Sequence, residues 1–149
     1  MNSDSVPVRT VIVYHSGYGH TERMAVSVAE GAGTGAVLVA IDAKGTISED
    51  AWQVLADADA IVFGSPTYMG GPSWQFKKFA DASSKPWFEG TWHNKIFGGF
   101  TNSASINGDK LRAANKTRSM SAGRGLKIRN FSEYQACACL YQLTKNGFC

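Results

Sequence analysis

Short, almost continuous apolar runs alternate with stretches of helical periodicity through the first hundred residues, and this alternation confines the chain to a parallel α/β sheet. Val8 to His15 is rich in β-branched residues and nearly all apolar, as a strand buried on both faces requires. From Thr21 onward Met24, Ala25, Val28, Ala29 and Ala32 fall at three- and four-residue spacing, and Gly31, Gly33 and Gly35 supply the stop. The pattern predicts further strands over 36–41, 60–63 and 95–100, with helices over 48–58 and 73–82 between them. Ser73 follows Pro72 and is placed to cap the third helix, where Trp74 or Phe76, Phe79 and Ala80 share a face. Strands joined by helices of this length form right-handed βαβ units, with helices on both sides of the sheet.

The chain has 149 residues, 44% hydrophobic and 18% charged, which suits one globular domain with a single core. No apolar stretch approaches the ~18 residues of a membrane span, and the first ten residues lack the basic start and apolar run of a secretion signal. The expected location is cytoplasmic, with no membrane partner. Cys137, Cys139 and Cys149 give an odd count and a CxC spacing, so neither a disulfide framework nor a metal site is expected. The net charge of +3 is unevenly spread: seven Lys/Arg against ten Asp/Glu before residue 103, then eight against two. Residues 103–125 contain few large apolar side chains, and a fifth strand is not legible. The basic tail reads as a solvated segment rather than a nucleic-acid surface.

A parallel α/β sheet binds ligands at the carboxyl ends of its strands. Ser16-Gly17-Tyr18-Gly19-His20-Thr21 stands at such an end and leads straight into a helix, whose N–H groups and dipole suit an anion. The loop has no lysine, and Glu22 stands where a dinucleotide fingerprint needs its third glycine, so GxxxxGK[ST] and GxGxxG both fit poorly. A monophosphate ester held by backbone amides and hydroxyls fits better. Gly64-Ser65-Pro66-Thr67-Tyr68-Met69-Gly70-Gly71 follows the third strand as a Pro-stiffened loop, suited to a flat ring with polar edges. A third loop opens with Thr101, Asn102 and Ser103 after the fourth strand.

The segments SGYGHTE, GSPTYMGG, PWFEGTWHNK and FTNSASINGDK, in this order over about residues 8–110, resemble the flavodoxin-like superfamily. Within it they are similar to NAD(P)H:quinone oxidoreductases of the tryptophan-repressor-binding-protein type. The resemblance implies a three-layer sandwich with sheet order 2-1-3-4, an FMN-binding domain over 1–110 and a divergent basic tail over 111–149. It further implies noncovalent FMN, with Ser16, Tyr18, Gly19, His20 and Thr21 around the phosphate. Pro66, Thr67, Tyr68, Met69 and Gly70 would border the isoalloxazine ring, and Thr101, Asn102 and Ser103 would approach its pyrimidine edge or the ribityl chain. Trp87 would stand near the ring, across a subunit boundary in a homodimer or homotetramer.

The implied activity is transfer of two electrons from NADH or NADPH to a quinone, with chemistry centred on the flavin and no protein nucleophile. Two other readings stay open: a one-electron flavodoxin-type carrier, against which pI ≈ 8.8 weighs, and a truncated, non-catalytic relative that has lost flavin. Among single residues, His15 reads as a packed imidazole, and Glu22 as a side chain turned away whose backbone N–H serves the phosphate. Trp74 reads as core or subunit contact. Trp87 and Trp92 flank a loop, where surface anchoring competes with a flavin role, and Tyr68 is the leading aromatic neighbour of the ring.

Overall fold

The computed structural model describes residues 8–105 together with 112 and 113. Strand β1 (Thr10–Tyr14) is buried along its whole length, and α1 (His20–Ala32) follows it. Then come β2 (Ala36–Ala40), α2 (Glu49–Asp57), β3 (Ala60–Tyr68), the two-residue β4 (Gly71–Pro72), α3 (Trp74–Ala82), α4 (Ser84–Phe88) and β5 (Ile96–Asn102). The parallel order is β2-β1-β3-β5, with β4 antiparallel on β3. This is the expected 2-1-3-4 order; the fourth long strand becomes β5 because the short β4 precedes it. The expected lack of a legible fifth parallel strand and the tail over 111–149 fall outside the described residues, apart from helical Arg112 and Ala113.

Alternation along the strands divides the core in two. Val11, Val13, Ile61 and Phe63 face α2 and α3, where Leu55, Phe76 and Phe79 meet them. Ile12, Tyr14 and Phe100 face α1 and pack with Ala25. Each fully buried side chain of this size contributes about 1.5–3 kcal/mol. At the centre Phe63 touches Phe76, Phe79, Trp92 and Phe97 at ring separations of 5.9–6.2 Å. Trp92 is therefore a core residue, 4% exposed, which removes both its surface and its flavin role. Trp74 is 60% exposed, and the buried face of α3 belongs to Phe76 and Phe79.

Two serines begin the helices on that side. Ser48 Oγ accepts the Ala51 N–H at 3.3 Å at the start of α2. Ser73 Oγ accepts the Phe76 N–H, while the Ser73 N–H donates to buried Ser65 Oγ at 3.1 Å. The far end of α2 is closed by Lys95, only 9% exposed, whose Nζ donates to the carbonyl oxygens of Ala56 and Ala58 at 2.6 and 2.5 Å. A cation there answers both the orphan carbonyls and the negative end of the helix dipole.

The structure departs from the sequence pattern most at β3, which runs to Tyr68 and not to Phe63. Pro66 argues against a strand, yet the pairing with β1 ends at Tyr14↔Gly64. Beyond that point β3 continues beside β5 through Pro66↔Asn102, so the missing N–H of Pro66 interrupts no β1 ladder. The strand then doubles back through Met69 (φ 47°) and Gly70 (φ 75°) into β4. Two consecutive positive φ values are what a tight two-residue hairpin turn requires. No described helix is long and apolar enough to cross a membrane.

The pairing of β3 with β5 rests on a missing side chain: a Cβ at Gly64 would lie 2.3–2.9 Å from three ring atoms of Phe100. Gly64→Ala should lower the unfolding free energy by about 1–3 kcal/mol in urea titration. Gly98→Ala, whose Cβ would meet only Val62 at ordinary contact distance, should change it by less than about 1 kcal/mol. Lys95→Met should cost about 1–3 kcal/mol in the same measurement, since it leaves the Ala56 and Ala58 carbonyls without their donor.

Candidate functional site

The register of the sheet brings the carboxyl ends of β1, β3 and β5 to one rim, and four contacts join the loops that leave them. Thr21, the second residue of α1 and 1% exposed, donates its hydroxyl to Asn102 Oδ1 at 2.8 Å. Thr67 and Thr101 share a hydrogen bond of 2.7 Å on the opposite face of the sheet. Tyr68 reaches back to the first loop, where a Cβ at Gly17 would lie 2.5 Å from its hydroxyl oxygen. Its ring also meets Tyr18 edge-on at 6.4 Å.

The first loop gathers a helix N-terminus and a serine hydroxyl. Helix α1 begins at Gly19, which sits at φ 84° and offers no side-chain cap. Ser16 Oγ accepts the Glu22 N–H at 3.2 Å and keeps its own proton to donate. The expectation that the Glu22 N–H serves a phosphate is thereby corrected, because the loop's own serine takes it. The Glu22 carboxylate is turned to the Tyr14 hydroxyl; burial first, and that carboxylate second, push the Tyr14 phenol above its usual value. A Cβ at Gly19 would meet nothing within 4 Å, so space lies open beside the helix start. The donor set fits a phosphate monoester without any lysine: helix-terminal amides, a serine hydroxyl, and no carboxylate aimed inward.

The residues expected at the site divide into those the structure brings together and those it sets apart. Ser16, Tyr18, Gly19, His20 and Thr21 form the strand-to-helix turn at the end of β1, but the Thr21 proton is directed at Asn102. Pro66 and Thr67 are strand residues, not loop, and Thr67 is held by Thr101. Tyr68 closes over Gly17, burial raises its phenol above the usual value, and it stays a neutral donor near pH 7. Met69 is fully exposed at the tip of the hairpin, beside Gly70. Asn102 faces α1, whereas the Ser103 hydroxyl donates to the Ser105 carbonyl at 2.7 Å within its own turn. Trp87 lies half-exposed on α4, and none of the four contacts that join the loops involves it.

Sequence reasoning overlooked Gly17 as the seat of Tyr68. Strand parity was the available signal, since Val62, Gly64, Pro66 and Tyr68 share the α1 face once β3 is known to continue. Beneath the same loop His15 is 4% exposed, and its Nδ1 has no hydrogen-bond partner. Burial lowers its pKa from the usual 6.5. Above that value both folded and unfolded chains hold His15 neutral; below it the unfolded chain takes up a proton first. Stability should therefore fall as pH drops below about 6.5, with at most about 1.4 kcal/mol per pH unit from this group. Urea unfolding between pH 8 and 5 should show the wild type losing that increment relative to His15→Asn.

The chain is similar to known proteins of the same fold. The profile of the family described as NADPH-dependent FMN reductase matches residues 24–135. A protein named flavodoxin FldP from Pseudomonas aeruginosa is 61% identical over 102 residues, which cover 68% of this chain and 54% of that one. An NAD(P)H dehydrogenase (quinone) from Caulobacter vibrioides is 36% identical over 117 residues, covering 67% and 59% of the two chains. The chain thus spans a little over half the length of these relatives. A crystal structure of a flavodoxin, WrbA-like protein from Agrobacterium tumefaciens superposes with TM-score 0.72 at 68% identity, over 75% of this chain and 70% of the other. A flavoprotein solved in complex with FMN from Lactobacillus acidophilus shares the fold, at 18% identity and TM-score 0.56 over 78% of this chain and 87% of the other. With three quarters of its length matched by the profile and its sheet order that of the flavodoxin-like fold, the chain belongs to the NADPH-dependent FMN reductase family.

Proposed function

We propose that the chain holds FMN across the rim formed by β1, β3 and β5 and transfers two electrons from NAD(P)H to a quinone. The observation that carries this reading is the start of α1, where Gly19 has no side chain to cap with, Ser16 takes only the Glu22 N–H, space lies open at Gly19 and there is no lysine. It lies next to the Tyr68–Gly71 hairpin and the end of β5, to which Thr21 ties it. Relatives 36% identical are named NAD(P)H dehydrogenase (quinone), which supports the acceptor class.

In this reading the amides of Gly19, His20 and Thr21 and the Ser16 hydroxyl hold the phosphate. Helix-dipole charge offsets the dianion in place of a basic side chain. Tyr18 and Tyr68, whose rings meet edge-on at 6.4 Å, would flank the flavin on the first-loop side, and the Met69–Gly70 tip would border its ring. Thr67 and Thr101 keep the β3 extension against β5, so that the backbone between them keeps its place when the ligand enters. FMN, when bound, supplies the redox chemistry. The protein contributes orientation and backbone dipoles.

A second reading, a one-electron carrier, draws support from the relative named flavodoxin at 61% identity. Purified protein incubated with FMN and desalted should retain visible flavin absorption, and rapid mixing with NADPH should bleach it. Reoxidation by a soluble quinone should follow. Retained flavin that neither NADH nor NADPH bleaches would leave the carrier reading standing alone, and loss of flavin on desalting would remove both.

A further inference from the structure

Thr21 sits in the turn that receives the phosphate, yet its geometry gives it another task. Its hydroxyl has one proton, and that proton goes to Asn102 Oδ1 at 2.8 Å across 81 residues of sequence. What remains on the Thr21 oxygen is lone-pair density, which an anion repels. Thr21 itself is 1% exposed, and the bond is part-buried. At its other end, an amide whose carbonyl oxygen is fixed has its NH2 group fixed as well. Asn102 is the last residue of β5, in register with Pro66 of β3. That register sets it beside the strand that continues into the Tyr68–Gly71 hairpin, which borders the flavin ring in the reading above.

We infer that Thr21 is a positioning residue: through the Thr21–Asn102 hydrogen bond it orients the Asn102 amide toward the phosphate-free part of the flavin, and its side chain is not a phosphate ligand. The inference rests on the FMN reading above and assigns one residue of that site a different partner.

The experiment is a fluorescence titration of the full chain with FMN and, in parallel, with riboflavin, which lacks the phosphate. Thr21→Val should weaken both by the same factor, about tenfold for one lost hydrogen bond, and leave the ratio of the two affinities at its wild-type value. Thr21→Ser should restore both. Thr21→Val placed on Asn102→Ala should add no further loss. Asn102→Asp, which keeps an acceptor for Thr21 but has no NH2 to donate, should retain the wild-type melting temperature of the ligand-free protein and lose affinity for both flavins. A Thr21→Val protein that loses FMN affinity while keeping riboflavin affinity would identify a phosphate ligand and overturn the inference. So would simple additivity with Asn102→Ala, or undiminished flavin binding by Asn102→Asp. If the wild type binds riboflavin and FMN equally, the phosphate site of the parent reading fails; if it binds neither, the flavin reading fails and the inference with it.

Discussion

The complete burial of β1 is the constraint on which the rest of the structure depends. Its five residues are enclosed by β2 on one edge, β3 on the other, and helices on both faces. A strand so enclosed has no freedom of register, because a slip of one residue would exchange the Val11 and Val13 face for the Ile12 and Tyr14 face. Its carboxyl end is therefore fixed in space, and so is the turn into α1. The positive end of that helix is delivered to the sheet rim by core packing.

The rim itself is assembled by polar contacts between elements distant in sequence. Thr21 with Asn102, Thr67 with Thr101, and Ser65 with Ser73 join α1 to β5, β3 to β5, and β3 to α3. All six are small neutral side chains. In a low-dielectric setting such pairs are satisfied without the desolvation cost of ions, and each tolerates little displacement of its partner. Contacts of this kind hold the three strand ends in fixed relation to one another. The exposed elements at the edge of the rim are the Met69–Gly70 hairpin tip and Tyr18.

Much of this was legible along the chain. Helical spacing located α1, α2 and α3 within a residue or two, and the serine cap of α3 followed from Ser73 standing before apolar periodicity; the Ser48 cap of α2 came from the structure. The glycine turn between β1 and α1 was legible as well, from Gly17 and Gly19 standing between an apolar run and a helical period. Short elements escaped: α4 has five residues, too few for a periodic signal, and β4 has two. The aromatic residues were the least legible. Trp74 and Trp92 are the same residue type in similar surroundings of sequence, and one is exposed while the other fills the core beside Phe63.

What the sequence determined by itself was the alternation of strand and helix, the parallel sheet that alternation demands, and the chemistry of the turn at Ser16 to Thr21. Those follow from local periodicity and from residue types whose preferences act over a few positions. Only the tertiary structure decided where β3 ends, that Tyr68 seats on Gly17, and that Thr21 gives its proton to Asn102. These depend on which strands lie side by side and how far each extends past its neighbour. Pro66 is acceptable because β1 has already ended, and no pattern within β3 records that fact.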